Sequence, residues 1–236
     1  VLDANDLHDN QEGIRAETRS PSGQIFPPPN QPRIEPRIVN NLIRDHRADG
    51  IALLTGRSQP QVLNNTLLRN TQAGIYHLAG VSGEGRIRNN LVVGNGRGLV
   101  GNATSPPPTN AVAFNNAFGN GQNWVSHPPG YGQTSRTNAS GRPVDLADNL
   151  SLDPGLGGPD GAHLLPGSPM IDAGSALQAP PPRPRRGTAA AAASTWAATN
   201  SARLSASRSL ASSPPISRSS SKENPEWNTP SSPPER

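Results

Sequence analysis

Asparagine pairs recur along this chain at Asn40-Asn41, Asn64-Asn65, Asn89-Asn90 and Asn115-Asn116, with second members 24, 25 and 26 residues apart. Glycine followed by an aliphatic residue keeps the same beat. Gly50-Ile51, Gly74-Ile75 and Gly98-Leu99 stand 24 residues apart, and Gly13-Ile14 falls eight residues after Asn5. A further asparagine (Asn10, Asn70, Asn95 or Asn120) follows four or five residues after the pair position, and Asp45 is read into that place in the second unit. A period held in register over four or five units means that each unit is one structural repeat, stacked on the next to bury a shared core.

A unit of about 24 residues is too short for a helix-pair repeat, which needs roughly 33 or more. The Leu-x-x-Leu-x-Leu-x-x-Asn spacing of a leucine-rich repeat is absent. Each unit instead carries short apolar or alternating stretches, such as Arg37-Ile38-Val39, Leu67-Leu68, Ile75-Tyr76-His77-Leu78, Arg86-Ile87-Arg88 and Leu91-Val92-Val93. Those are strand lengths. Asparagine and glycine punctuate them where the backbone turns with positive φ. Three short strands and three turns make one coil of a parallel β-solenoid, with coils about 4.8 Å apart. Equivalent residues then lie above one another. Ile38, Ile51, Leu67, Ile75, Ile87 and Leu99 are expected to point inward in columns, and stacked asparagine amides are expected to hydrogen-bond from coil to coil.

The composition agrees. Apolar residues make up 32% and aromatics 3%, against 24 glycines and 27 prolines, so a large helical core is excluded. Cysteine is absent, which removes disulfides, thiolate metal sites and cysteine nucleophiles. No apolar run is long enough to span a membrane as a helix.

The run Asn-Asn-x-Leu/Ile, then Asn, then Gly-Ile resembles the repeat of right-handed parallel β-helix proteins of the pectin-lyase-like superfamily, over residues 1–125. The segment from Asn149 to Asp153-Pro154, followed by Ser168-Pro-Met-Ile171-Asp172-Ala173-Gly174, is similar to the closing segment of many exported members. The fold expected is all-β: about five rungs of roughly 24 residues, a long loop and irregular C-terminal cap over residues 126–177 with 149–177 as the cap itself, and a low-complexity tail over 178–236 without packed structure. Two origins stay open for the tail, a genuine linker or a shifted reading frame. The first residues already read like the middle of a repeat, so the chain is expected to be a fragment lacking its true N-terminus. The resemblance implies an extracellular or cell-envelope protein that acts on or binds polysaccharide. The alternative is a structural or adhesive solenoid without activity.

Charge divides sharply. Residues 1–177 hold 13 basic and 14 acidic side chains, whereas residues 178–236 hold 8 and 3. The body therefore lacks the net positive field that would draw nucleic acid. Proline-rich excursions at Ser20–Gly23, Phe26–Pro29 and Thr104–Pro108, and a long loop after Gln122 containing His127-Pro-Pro-Gly-Tyr131, are insertions that commonly border a binding groove in solenoids.

Candidate chemistry is sparse. A lyase on such a fold needs carboxylates to hold Ca²⁺ and a base to take the proton next to a uronate carboxyl group. A glycosidase needs two carboxyls about 5–9 Å apart. The best cluster is Arg44-Asp45-His46-Arg47-Ala48-Asp49, in a turn. Asp45 and Asp49 are its candidate carboxylates and Arg47 its candidate cation, with a solvated structural turn as the simpler reading. His77, on a strand, is a candidate general base or sugar contact, or else a surface or satisfied core histidine. Asp6, His8 and Asp9 form a weaker group. No cofactor is indicated: Ca²⁺ belongs only to the lyase reading, and no site for it is identifiable.

Overall fold

The structure, a computed structural model, describes residues 1–17, 34–54, 59–77, 85–102 and 111–175. The chain winds through five three-stranded rungs. Rung one is β1 (Leu2–Asp3), β2 (Asp6–His8) and β3 (Ile14–Ala16); rung two is β4 (Arg37–Val39), β5 (Leu42–Arg44) and β6 (Ile51–Leu53). Rung three is β7 (Gln61–Leu63), β8 (Thr66–Leu68) and β9 (Ala73–His77); rung four is β10 (Arg86–Arg88), β11 (Leu91–Val93) and β12 (Arg97–Val100). Rung five is β13 (Val112–Ala113), β14 (Asn116–Phe118) and β15 (Trp124–Val125).

Every third strand pairs in parallel, giving three five-stranded sheets: A (β1-β4-β7-β10-β13), B (β2-β5-β8-β11-β14) and C (β3-β6-β9-β12-β15). No helix among the described residues is long and apolar enough to cross a membrane.

The strands stay short because the corners between sheets A and B and between B and C each demand a left-handed residue. At the corner between sheets A and B, Asn40, Asn64 and Asn89 adopt φ of 58°, 58° and 55°. Asparagine tolerates this region better than most side chains. At the corner between B and C the column is Asp9, Asp45, Arg69, Gly94 and Gly119. Glycine takes over at its last two positions, where the absence of Cβ removes the steric cost.

On sheets A and B the middle residue of each three-residue strand faces inward, whereas on sheet C the inward positions are two residues apart and flank an outward one. Ile38, Val62 and Ile87 align on sheet A, Ile43, Leu67 and Val92 on sheet B, and Ile51, Ile75 and Leu99 on sheet C. All six expected core residues are 0–1% exposed. Aliphatic columns suit the narrow interior because identical branched side chains nest at the rung spacing.

Two asparagine ladders run beside this core. In the first, each Oδ1 accepts both the backbone N–H and the Nδ2 of the asparagine one rung earlier, at 3.0–3.1 Å through Asn5, Asn41, Asn65, Asn90 and Asn115. Each Nδ2 also donates to an earlier carbonyl, as Asn65 does to Ile38 and Asn90 to Val62. The ladder ends on Asn149.

The register corrects the sequence reading in the fifth unit. Asn115, not Asn116, continues the column of Asn41, Asn65 and Asn90, because Asn116 pairs with Leu91 as the first residue of β14. A second correction concerns Asp45. The other ladder runs Asn10, His46, Asn70, Asn95, Asn120, with His46 in the place read as Asp45. Asp45 is the left-handed corner residue just before it.

Residues 126–175 do more than close the end. Phe114 N–H donates to Ala147, Leu150 N–H donates to Asn115, and Leu150 bridges Asn116 in parallel, starting a partial sixth rung. The chain then turns back along the outside of sheet B. Hairpins β16 (Arg136–Thr137) with β17 (Pro143–Val144) and β18 (Leu156–Gly157) with β19 (His163–Leu164) stiffen this strap. Leu150, Met170 and Val144 cover Leu91, and Ala162 with Leu156 covers Leu42 and Leu68. Outward positions of sheet B are apolar for this reason. Asn116 fixes the strap by pairing both amide atoms with the Leu152 backbone, and Asn89 does the same with Ser175.

All four connections from sheet C to sheet A leave at one corner of the solenoid. The excursions at Ser20–Gly23, Phe26–Pro29 and Thr104–Pro108, and the tail 178–236, lie outside the described residues.

Candidate functional site

The turn cluster does not assemble into a site. Asp45 accepts two hydrogen bonds of 2.8 Å from Arg69, one rung on, and one of 3.2 Å from Arg44, which also grips Asp6. The Arg69 guanidinium, with Arg44, holds the Asp45 carboxyl below its usual range. Asp49 is buried, and its Oδ1 accepts the Ala73 N–H at 2.8 Å. Burial pushes its carboxyl up despite that bond. Arg47 is exposed on the intervening turn. His46 is turned inward as a ladder member, and burial pushes its imidazole below the ordinary range. Asp45, Arg47 and Asp49 thus serve an ion-pair chain, an exposed turn and a backbone contact. Asp6 belongs to the Arg44 pair, while His8 and Asp9 pair with each other at 2.6 Å.

His77 faces the interior. It continues the inward column Ala16, Leu53, His77 at the end of sheet C, and is completely buried. Neither ring nitrogen has a hydrogen-bond partner. Its neighbour is His127, 5.1 Å away between ring centroids, from the loop after β15; both His127 nitrogens are also buried and unpartnered. Trp124 meets His127 edge-on at 5.4 Å, and Tyr131 stacks on it at 5.2 Å. Burial pushes His77 down to about 3 and His127 to about 4. Both are therefore neutral imidazoles near neutrality. Among the described residues no group of three or more His, Cys, Asp or Glu converges as a metal set.

The feature with the geometry of a ligand site is a groove in the strap. A volume of about 430 Å³ opens between the β16–β17 hairpin and residues 172–174, lined among others by Phe114, Arg136, Ser140, Asp148 and Asp172. Arg136 Nη2 holds Asp148 Oδ2 at 2.9 Å with half its side chain exposed. Asn138 is spent on the hairpin turn, its Oδ1 accepting the Ser140 and Arg142 N–H groups. The Arg88 guanidinium lies 5.9 Å over the Phe114 ring. Burial, with a contribution from Arg86, lowers the Arg88 pKa from its ordinary value. An aromatic ring, a guanidinium and carboxylates thus meet at one open cavity.

None of these groove residues is visible from repeat arithmetic, since they come from the fifth rung's corner and the irregular strap. The sequence shows the loop His127-Pro-Pro-Gly-Tyr131 only as an insertion. The missing signal was Gly101, a glycine one rung above His77 that leaves room for a second ring.

Residues 33–132 match the family model for the right handed beta helix region. No curated protein and no solved structure matches the chain. That match agrees with the three parallel five-stranded sheets stacked as rungs: the rungs fold as a right-handed parallel β-helix.

Proposed function

We propose that this β-helix binds polysaccharide through the strap groove, as a carbohydrate-binding rather than a bond-cleaving protein. The observation that carries the reading is the lining: Phe114, the Arg136–Asp148 pair and Asp172 around a volume of about 430 Å³. A sugar ring offers an apolar face to an aromatic ring and vicinal hydroxyls to a guanidinium or carboxylate, which is the mixture a saccharide pocket needs. Binding is favoured over turnover because the candidate catalytic groups Asp45, Arg47, Asp49 and His77 are dispersed, and His77 is sealed inside. An extracellular or cell-envelope setting, as the sequence resemblance implies, supplies such polymers.

A glycan array followed by calorimetric titration of the best oligosaccharide tests this. Arg136→Ala and Phe114→Ala should each weaken binding at least about tenfold, the loss of roughly 1.4 kcal/mol, with the thermal transition retained. No binding across neutral and acidic glycans would leave the structural or adhesive solenoid as the better reading. Binding indifferent to both variants would move the site elsewhere.

A further inference from the structure

The His77–His127 contact has a particular construction. The inward column that runs Ala16, Leu53, His77 reaches Gly101 on the fourth rung. A Cβ at Gly101 would stand 3.0 Å from His127 Cε1, 3.1 Å from His127 Nε2 and 3.1 Å from His77 Cε1. A methyl group at residue 101 would therefore crowd both rings, and glycine there lets His127 sit this close to His77. The His127 ring enters from a loop, between Trp124 and Tyr131, and brings two buried polar atoms that make no hydrogen bond. A phenyl ring would fill that space without stranding polar atoms.

We propose that His127 is an acid-released plug: as a neutral ring it fills the gap beside Gly101 and holds loop residues 126–132 against the end rung, and on protonation it leaves the gap and frees the loop.

The groups facing it are few. From β9 comes His77, from β12 the Leu99 carbonyl with Gly101 just after that strand, from β15 Trp124, and from its own loop Tyr131. Asp145, in the strap, is the one charged group that favours the imidazolium. Its carboxylate is already committed, accepting N–H groups from Gly132, Ala147 and Asn149 at 2.8–2.9 Å. Burial and Asp145 both push the Tyr131 hydroxyl up, so it stays neutral.

The sign follows. In the closed state His127 is depressed to about 4, whereas a freed histidine titrates near 6.5. Closure is fully stable above about pH 6.5 and weakens as pH falls toward 4. Opening should rise by about tenfold per pH unit through that window. His77, left beneath the vacated gap, then hydrates and adds its own proton uptake.

Hydrogen exchange of the full chain, corrected for intrinsic rates, between about pH 7 and about pH 4.5 tests the plug. Peptides over residues 126–132 should lose protection progressively while peptides over β8 and β11 keep theirs. His127→Phe should give a flat profile. Gly101→Ala, which fills the gap with a methyl group, should leave the loop open already at neutral pH. Constant protection of 126–132 in the wild type, simultaneous loss in loop and rungs, or the same pH profile in His127→Phe overturns the proposal. Should His127→Phe not fold, a loop still protected at neutral pH in Gly101→Ala overturns it equally.

Discussion

Asn65 and Asn90 show what one ladder residue does. Each satisfies two donors of the preceding rung with one oxygen and returns its own Nδ2 to a buried carbonyl. Water has no access there, because both side chains are completely buried. Asn90→Leu keeps the approximate volume but removes the acceptor of the Asn65 N–H and takes one hydrogen bond each from Asn65 Nδ2 and the Val62 carbonyl. At about 1–3 kcal/mol for each buried group left unmade, a loss of several kcal/mol is expected, read as a lower urea midpoint. Arg69→Ala is the contrasting case. Its pairs with Asp45 are short, but the arginine is nearly half exposed, so the same measurement should change by under about 1 kcal/mol. A large Arg69 effect with a small Asn90 effect would mean that the ladders are not what holds the rungs.

Among the elements, the strap differs most from its sequence reading. Residues 149–177 read as an end cap, because Ser168-Pro-Met-Ile-Asp-Ala-Gly174 carries a resemblance but no period to place it in space. The clue was on the rungs: Leu42, Leu68, Leu91 and Val93 are apolar at outward positions of sheet B, where a solvated sheet alternates with polar residues. That excess apolar face predicts a cover. Met170 is fully buried against it. Met170→Ala should cost about 2–5 kcal/mol, visible as a lower thermal midpoint. Deleting residues 151–175 should expose the face and produce binding of an apolar dye together with self-association. A monomeric, dye-silent deletion protein would mean that the strap is an ornament.

For the molecule as a whole, the rungs were legible and the sites were not, for one physical reason. A solenoid repeats its backbone chemistry every coil, so Asn41, Asn65 and Asn90, or Ile51, Ile75 and Leu99, announce themselves by spacing alone. Asp45, Arg47, Asp49 and His77 drew notice because of residue type, yet three of the four serve the repeat itself or its interior. The groove is made where the period breaks, by Phe114, Arg136, Asp148 and Asp172, whose separations in sequence carry no pattern. Even the step from Asn90 to Asn115 is hidden in the sequence by the adjacent Asn116. Acid response is a property of this scale too. Burial depresses His46, His77 and His127 together. Each unfolded histidine takes up its proton near pH 6.5. Stability should therefore be full above that pH and fall as the solution is acidified toward about 4, by up to about 1.4 kcal/mol per pH unit for each of His77 and His127, with His46 acting in the same direction. Urea midpoints that rise on acidification would contradict this.

The proposal that the strap groove binds saccharide is tested by a hydrogen-exchange footprint with a saturating oligosaccharide from the glycan screen. Protection is predicted at residues 136–140 and 172–174, lost in Arg136→Ala, with the outer faces of sheets A and C unchanged. A footprint on those sheet faces, with the groove unaltered, would contradict it.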